Sequence, residues 1–421
     1  MRLSLSLAAK FLSVIVLFGV FYSYAMFQGG FVSWFLFYSF LPIILYLFLL
    51  LLYPISNWTV SRKLSKHIVR ASENVEAEIH LYRKIPFPLY YCVVEEFFPE
   101  SLQKKDTNRM KYRHMDKADL LEEKRVVKAI FFPWFRRHLT VSYTLDNVPR
   151  GEHHLKAFRI KTGDFFGFVK KEHIYLTDSY MLVYPYQRDI SFRQNVTSFD
   201  EGTTASYTIN ARNTNVVTGV REYMPGDRFS WIDWKNTAKK NTVMTKEFEQ
   251  EKSTSILVVL DACQTTGLNE VAFEGSIEVT GSLLKYIKNN SSQVSFLALG
   301  EEKIFVPFDQ SPEKLETASN YLARIQPGGT ASFSQQMSGE LRKIPNGLVT
   351  FLVTTHLEWS AISSVEDLKK KSRKIILFLI KPTSQVTEED TRIIHHLSSS
   401  GISVNVLTEE QLTQQKFEVS T

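Results

Sequence analysis

The sequence predicts a three-part architecture: a transmembrane helical hairpin, a β-sandwich, and a C-terminal α/β domain with a doubly wound, mostly parallel sheet. Three observations carry this reading. Two apolar runs, Phe11–Phe27 and Phe31–Tyr53, open the chain. Short alternating runs punctuated by Pro and Gly follow to about residue 190, as half-buried strands do. Uniformly apolar strands then alternate with helical periods to the end, the pattern of a sheet covered on both faces. The boundaries read as 1–60 for the hairpin, 61–190 for the sandwich, 191–250 for a linker and 251–421 for the α/β domain.

Each apolar run is close to the ~20 residues a helix needs to cross a bilayer, and Gln28-Gly29-Gly30 leaves room only for a tight tip. Tyr53 and Trp58 suit an interfacial zone. The chain has 50 Lys+Arg against 44 Asp+Glu, a net charge of +6. That whole excess lies in residues 1–70, as Arg2, Lys10, Arg62, Lys63, Lys66 and Arg70 with no acid among them. The basic balance is therefore a membrane-flanking feature and not a nucleic-acid footprint. Positive flanks around an uncharged tip predict both termini and the soluble domains on the cytoplasmic side of the cell membrane. Cys92 and Cys263 are the only cysteines, which excludes a disulfide framework and a Cys-based zinc cluster and agrees with a reducing compartment.

In the second region, Asn74–Tyr82, Leu89–Phe97, Val126–Phe132, Leu139–Leu145, His154–Ile160 and Tyr180–Tyr184 read as strands. Pro86, Pro88, Pro99, Pro133 and Pro149-Arg150-Gly151 punctuate them. Six short strands at this spacing predict an antiparallel, immunoglobulin/fibronectin-like sandwich. The locally basic stretch Gln103–Lys128 (Lys104, Lys105, Arg109, Lys111, Arg113, Lys117) is expected to be an exposed loop or hairpin near anionic headgroups.

The densest polar segment is Gly219 to Lys235. Pro225-Gly226-Asp227 is a turn whose dihedrals Pro and Gly favour. Arg221, Arg228 and Lys235 alternate with Glu222, Asp227 and Asp233 among Tyr223, Trp231 and Trp234. Mixed charges among aromatics predict partly buried ion pairs, and Asp233 is placed to cap a helix through Trp234. Two uses are open: a structural or partner-docking element, or a hydrolase-type site with Asp227 and Asp233 as acid and base.

Gly219-x-Arg221-x-Tyr223-x-x-Gly226-Asp227, followed by Ile232-Asp233-Trp234-Lys235, resembles the signature of the bacterial family called domain of unknown function fifty-eight. Pro149-Arg150-Gly151 and Gly163-Asp164-Phe165-Phe166-Gly167 resemble that family's upstream stretch. The resemblance implies a membrane-anchored protein with a von Willebrand factor A-like domain. It also implies a MoxR-type AAA+ ATPase as partner, often with a transglutaminase-like membrane protein.

In the α/β region, Ser255–Leu260, Val294–Leu299, Lys303–Phe308, Leu348–Thr354, Lys374–Ile380 and Ser403–Leu407 read as strands. Glu270–Lys288, Glu313–Ile325, Phe333–Leu341, Val365–Lys371 and Glu388–Leu397 read as helices. Ligand sites of such sheets lie at the carboxyl ends of the strands. A von Willebrand A-type metal site uses Asp-x-Ser-x-Ser there, with a loop Thr and a later Asp, all hard oxygen donors suited to Mg²⁺. Here the matching positions are Asp261, Cys263, Thr265 and Thr330, and the later Asp is absent where the strand runs into Thr354-Thr355-His356. A thiol is a poor Mg²⁺ ligand, so the metal site is expected to be degenerate, with Asp261 instead accepting hydrogen bonds from Thr265 and Thr330. The chain has no phosphate loop, no nucleophile elbow and no His-Glu-x-x-His. The expectation is a membrane-anchored, non-enzymatic adaptor without a cofactor, serving complex assembly or cell-envelope maintenance.

Overall fold

The computed structural model describes residues 2–121, 124–193, 217–224, 227, 229–248, 255–289, 293–307 and 312–420. The chain forms two compact units: Met1–Asn108 with Leu120–Tyr184, and Arg109–Asp119 with Pro185–Thr421.

In the first unit, α1 (Arg2–Gln28) and α2 (Phe31–Leu52) form an antiparallel pair. Rings interlock between them, Phe11 against Phe48 at 5.9 Å and Phe21 on Phe40 at 4.7 Å. Ala9–Gln28 and Phe31–Leu52 are long and apolar enough to cross a membrane. Eight strands follow: β1 (Thr59–Leu64), β2 (Ile68–Arg70), β3 (Val75–Tyr82), β4 (Tyr91–Glu96), β5 (Lys128–Phe131), β6 (His138–Leu145), β7 (Gly151–Gly163) and β8 (Lys170–Tyr184). They make a three-stranded sheet, β1-β3-β6, and a five-stranded sheet, β2-β8-β7-β4-β5. All pairs are antiparallel except β2 with β8. Alternation works as expected in β3, where Val75, Ala77, Ile79 and Leu81 are buried and Glu76, Glu78 and Tyr82 are exposed. One apolar cluster joins both sheets through Ile79, Leu81, Val141, Val94, Phe158 and Ile160. It continues into Leu47, Leu50 and Leu51, so the last turns of α2 are part of the β core. Lys171 fixes that end by donating to the carbonyls of Leu50 (3.1 Å), Leu51 (2.8 Å) and Tyr53 (2.6 Å), at the end of a helix where carbonyls run short of intrahelical donors.

Two expectations are corrected here. Arg62, counted among the membrane-flanking cations, lies on β1 with its side chain fully buried, 2.5 Å from Glu96. It also donates to the carbonyls of Leu155 and Thr177. The basic stretch 103–128 is not simply an exposed loop either. Its part Arg109–Asp119 belongs to the second unit, where Lys111, Tyr112 and Met115 are buried.

The second unit contains β9 (Ile190–Arg193), β10 (Val217–Glu222), α3 (Trp234–Lys240) and β11 (Met244–Phe248), then β12 (Ser255–Asp261), α4 (Glu270–Asn289), β13 (Gln293–Leu299) and β14 (Ile304–Val306). There follow α5 (Pro312–Arg324), α6 (Phe333–Glu340), β15 (Leu348–Thr354), α7 (Trp359–Lys371), β16 (Ser372–Ile380), α8 (Glu388–Ser399), β17 (Ser403–Leu407), α9 (Glu409–Thr413) and β18 (Phe417–Ser420). The stretch 191–250, read as a linker, thus carries the β10/β11 hairpin and α3. Helix α7 starts six residues before its sequence-read start at Val365, and Phe308 lies outside the described residues.

The main sheet has the order β14-β13-β12-β15-β16-β17, parallel except for β14. The chain enters at β12, winds to one edge and then crosses to β15. The order reverses between β12 and β15, and open α/β sheets place their crevice outside the carboxyl ends at such a point.

Packed on this sheet, α4 carries a buried carboxylate, Glu278, which holds three distant segments. It accepts from Arg188 Nε at 2.6 Å and from the Tyr112 hydroxyl, and Lys111 Nζ lies 3.6 Å away. Arg188 also donates to the carbonyls of Leu412 and Gln414 and lies over the Phe417 ring at 4.2 Å. Burial and the Glu278 charge push the Tyr112 phenol well above its ordinary range, so it acts as a donor at any working pH. We expect Glu278→Ala, which strands a buried guanidinium, to destabilise the second unit by about 3–5 kcal/mol. Urea unfolding of the full chain in detergent checks this, and a loss below about 1 kcal/mol would show the network to be replaceable.

His153 predicts an acid-sensitive step in the first unit. It is fully buried between Ser101 Oγ and the Pro149 carbonyl, each at 2.8 Å. Burial pushes its pKa down from 6.5 to about 4. Below pH 6.5 the unfolded chain takes up a proton that the folded chain refuses, so stability falls as pH drops from 6.5 to about 4 and then levels. The slope of the urea midpoint across that window should flatten in His153→Gln.

Candidate functional site

At the carboxyl ends of β12 and β15 the second unit has a cleft of about 430 Å³. Asp261, Cys263, Thr265, Thr330, Ser332 and His356 are among its lining residues. The structure thus brings together all four positions of the degenerate metal motif. Asp261 ends β12, and the next turn is fixed by Ala262 N donating to Leu299 O at 2.7 Å and by a bridge between Cys263 and Gly328. Gly329 has φ +95°, and a Cβ there would sit 3.1 Å from the Gly300 backbone. That close approach is what carries the chain into Thr330 at the exposed rim.

The partners of Asp261 differ from those expected. Its Oδ2 accepts from the Thr354 hydroxyl at 2.8 Å and its Oδ1 from the Cys263 amide at 3.1 Å, in place of Thr265 and Thr330. Thr354 stands at the end of β15, where the metal motif would supply its later Asp, and a neutral hydroxyl does the holding instead. Burial raises the Asp261 pKa, against the lowering effect of the Thr354 and Cys263 hydrogen bonds. Cys263 is itself buried, with Sγ 3.8 Å from Leu299 O, and burial pushes its thiol far up. A neutral thiol beside a carboxylate with two donors is a satisfied pair, not an open divalent-cation shell. Among the described residues no group of three His, Cys, Asp or Glu side chains could hold a metal ion.

Around this core the cleft is hydroxyl-rich. Ser332 caps α6 in a reciprocal box with Gln335, a pattern present in the sequence as Ser-x-x-Gln but not picked out there. Ser334 Oγ lies 2.8 Å from Ser364 Oγ. His356, just past the end of β15, pairs with Glu358 at 3.1 Å, and Ser360 donates to the same carboxylate at 2.9 Å.

The Gly219–Lys235 segment forms a separate module of this unit, and none of its described residues lines the cleft. Gly219 and Arg221 lie on β10, and Tyr223 N donates to Val243 O. Arg221 grips Asp227 with two bonds, Nη1 to Oδ2 at 2.8 Å and Nη2 to Oδ1 at 2.7 Å. Asp227 Oδ2 also accepts from Met224 N. The Arg221 hydrogen bond holds the Asp227 carboxyl below its usual range. Ile232 is buried and bridges to Thr245. Asp233 caps α3 as expected, accepting from Lys235 N and Asn236 N at 3.1 Å each, and the Asn236 amide holds its pKa down. Trp234 and Lys235 open α3, and Trp234 is 67% exposed, so it seals nothing over the carboxylates. Pro225, Gly226 and Arg228 lie outside the described residues, and with them the turn read there. Each carboxylate of the proposed acid–base pair is committed to a structural bond, which does not favour the hydrolase alternative.

Comparison with known proteins places this arrangement. The chain is 35% identical over 322 residues to the uncharacterized protein YeaD of Bacillus subtilis (strain 168), covering 76% of each chain. A family model described as protein of unknown function DUF58 matches residues 219–420. The chain belongs to the DUF58 family. The match begins at the first glycine of the polar module and runs through β18, so in this chain the DUF58 region includes the module and the whole six-stranded sheet. Among solved structures, the PilB minor pilin of Streptococcus sanguinis is 8% identical, with 77% of this chain and 85% of that one covered at a TM-score of 0.28. A CARDB domain from Pyrococcus furiosus is 11% identical, with 30% of this chain and 92% of that one covered at a TM-score of 0.18. Likenesses at these scores carry no argument.

The Asp261 environment generates a test. Because burial raises the folded-state pKa above 3.8, the folded chain binds the proton more tightly, so stability falls as pH rises from about 3.8 through the raised folded value and levels above it. Asp261→Asn keeps an acceptor for Cys263 N and offers Thr354 a donor in exchange. Its urea midpoint is expected to equal or exceed the parent's at pH 8, with the gap closing toward acid. A Mg²⁺-dependent rise in the parent's midpoint, lost in Asp261→Asn, would instead make the cleft a metal site.

Proposed function

We propose that this DUF58 protein is a membrane-anchored, non-enzymatic adaptor whose strand-end cleft binds a protein partner. The observation that carries the proposal is the state of Asp261: this buried carboxyl at the end of β12 is closed off by Thr354 and Cys263, while hydroxyl and amide side chains, with the His356–Glu358 pair, line the cleft around it. Such a rim suits hydrogen bonding to another polypeptide. The order β14-β13-β12-β15-β16-β17 with one antiparallel strand near the edge supports a von Willebrand factor A-like reading of the second unit. The two-sheet first unit supports an immunoglobulin/fibronectin-like spacer. The two apolar helices serve as the anchor, with both termini and both units cytoplasmic, as Lys63, Lys66 and Arg70 after α2 favour.

By the family resemblance the partner is a MoxR-type AAA+ ATPase, with a transglutaminase-like membrane protein as a further associate, and the process is complex assembly or envelope maintenance. Solubilised full-length protein is expected to retain that ATPase in a nucleotide-dependent manner. Thr330→Arg, on the exposed rim, should reduce recovery at least tenfold, the scale of one lost interface contact worth about 1.4 kcal/mol, with the melting temperature unchanged. Failure of the parent protein to retain the ATPase with or without nucleotide would overturn the reading.

A further inference from the structure

The loop Asp164–Val169 between β7 and β8 is built to present aromatic rings outward. Asp164 is 2% exposed, and its two carboxylate oxygens accept from Phe166 N at 2.8 Å and Val169 N at 2.5 Å. Gly163 admits no side chain, since a Cβ would lie 2.7 Å from Val169 O. Pinned at both ends, the loop leaves Phe165, Phe166 and Phe168 with 68%, 58% and 56% of their surface exposed. Phe165 meets Tyr90 at 5.2 Å, and Tyr90 meets Phe132 at 6.1 Å, so the rings form one continuous exposed patch. A patch of this kind on a folded unit marks a contact surface.

Its position along the helices identifies the contact. Phe165 and Phe166, with Asp164, face Pro42, Ile43, Tyr46 and Leu47 of α2 across an apolar crevice of about 250 Å³. Those residues precede the end of α2 at Leu52 by five to ten positions, roughly 8–15 Å along a helix axis. The aromatic loop therefore reaches well inside the apolar segment Phe31–Leu52. On the neighbouring helix, Lys10 is the last charge before the apolar run of α1, and its Nζ donates to Lys170 O, just past the loop. The basic group thus lies at the loop's base while the rings stand beyond it.

A length argument points the same way. Helix α2 has 22 residues, about 33 Å, against a hydrocarbon thickness of ~30 Å. Its last turns are buried in the β core through Leu47, Leu50 and Leu51. The free part alone is shorter than the ~30 Å hydrocarbon layer, so α2 spans it only where the layer also meets the β unit.

We propose that the Phe165/Phe166/Phe168 loop, with Tyr90 and Phe132, inserts into the lipid bilayer beside α2 and is part of the membrane anchor. This rests on the reading of α1 and α2 as membrane-spanning. The occupant is lipid because the patch is continuous with the helices' own apolar surface, and aromatic rings over a basic base match the interfacial belt of membrane proteins.

The test uses full-length protein in nanodiscs of equal phosphatidylcholine and phosphatidylglycerol, with a nitroxide on single introduced cysteines. Cys92 and Cys263 are both buried and do not compete for the label. Phe166→Cys is the test position, Phe168→Cys the second should the first fail to fold, Phe40→Cys the reference within α2, and Asp178→Cys the aqueous reference. The expected result is that oxygen relaxes the labels at 166 and 40 while a water-soluble nickel complex does not, with the reverse at 178. A lipid-exposed label at 40 with water-exposed labels at 166 and 168 overturns the inference and leaves the spanning helices intact. A water-exposed label at 40 overturns both.

Discussion

The Glu278 carboxylate is the constraint on which the second unit depends. A doubly wound sheet buries its strands by covering both faces with helices, yet here one covering helix, α4, carries an ionised group into the interior. Transfer of a lone carboxylate there would cost several kcal/mol even after relaxation. The cost is offset because segments from three parts of the sequence converge on it: Lys111 and Tyr112, Arg188, and through Arg188 the carbonyls of Leu412 and Gln414. The charge therefore specifies arrangement more than it adds stability. An apolar residue at 278 would leave the path of 109–119 and the approach to β18 unassigned, whereas Glu278 has donors for both oxygens only when each segment is in place.

That network also shows why the sequence reveals some features and hides others. The apolar runs of α1 and α2, the alternation of β3 and the continuous strands β12, β13, β15 and β16 are all periodic, and periodicity is local. The Asp233 cap is local too. Lys111 and Arg62 look like surface charges because composition cannot reveal a partner 167 or 34 positions away; each is buried against Glu278 or Glu96. β1 escapes notice for the same reason, since an inward Arg62 breaks the apolar alternation that would announce a strand. The four cleft positions are legible from spacing, but the bond that decides their chemistry, Thr354 to Asp261, joins adjacent strands 93 residues apart.

The cleft and the polar module reach a similar result by different means. At the strand ends, low exposure favours the neutral acid at 261 and a hydroxyl replaces a charged neighbour. In the module, hydrogen bonds hold the Asp227 and Asp233 pKa values down, and the donors fix backbone geometry: Arg221 for Asp227, and the first amides of α3 for Asp233. Carboxylates with every strong donor already placed are poor candidates for proton transfer, because a general acid or base needs a lone pair or proton free to reach substrate.

The first unit joins an apolar helix pair to a β fold by having cations answer carbonyls. Lys171 donates to three carbonyls at the end of α2, and the fully buried Arg83 donates to those of Phe87, Trp134 and Arg136. A helix end buried without donors would leave its last carbonyls unsatisfied, and carboxylate partners would make the junction titrate with pH. Carbonyls carry no ionisable proton, so this junction is indifferent to acid in the range where His153 and Glu96 respond. Helix and sheet thus act as one body along α2, and the loop between β7 and β8 is held in a fixed place beside that helix.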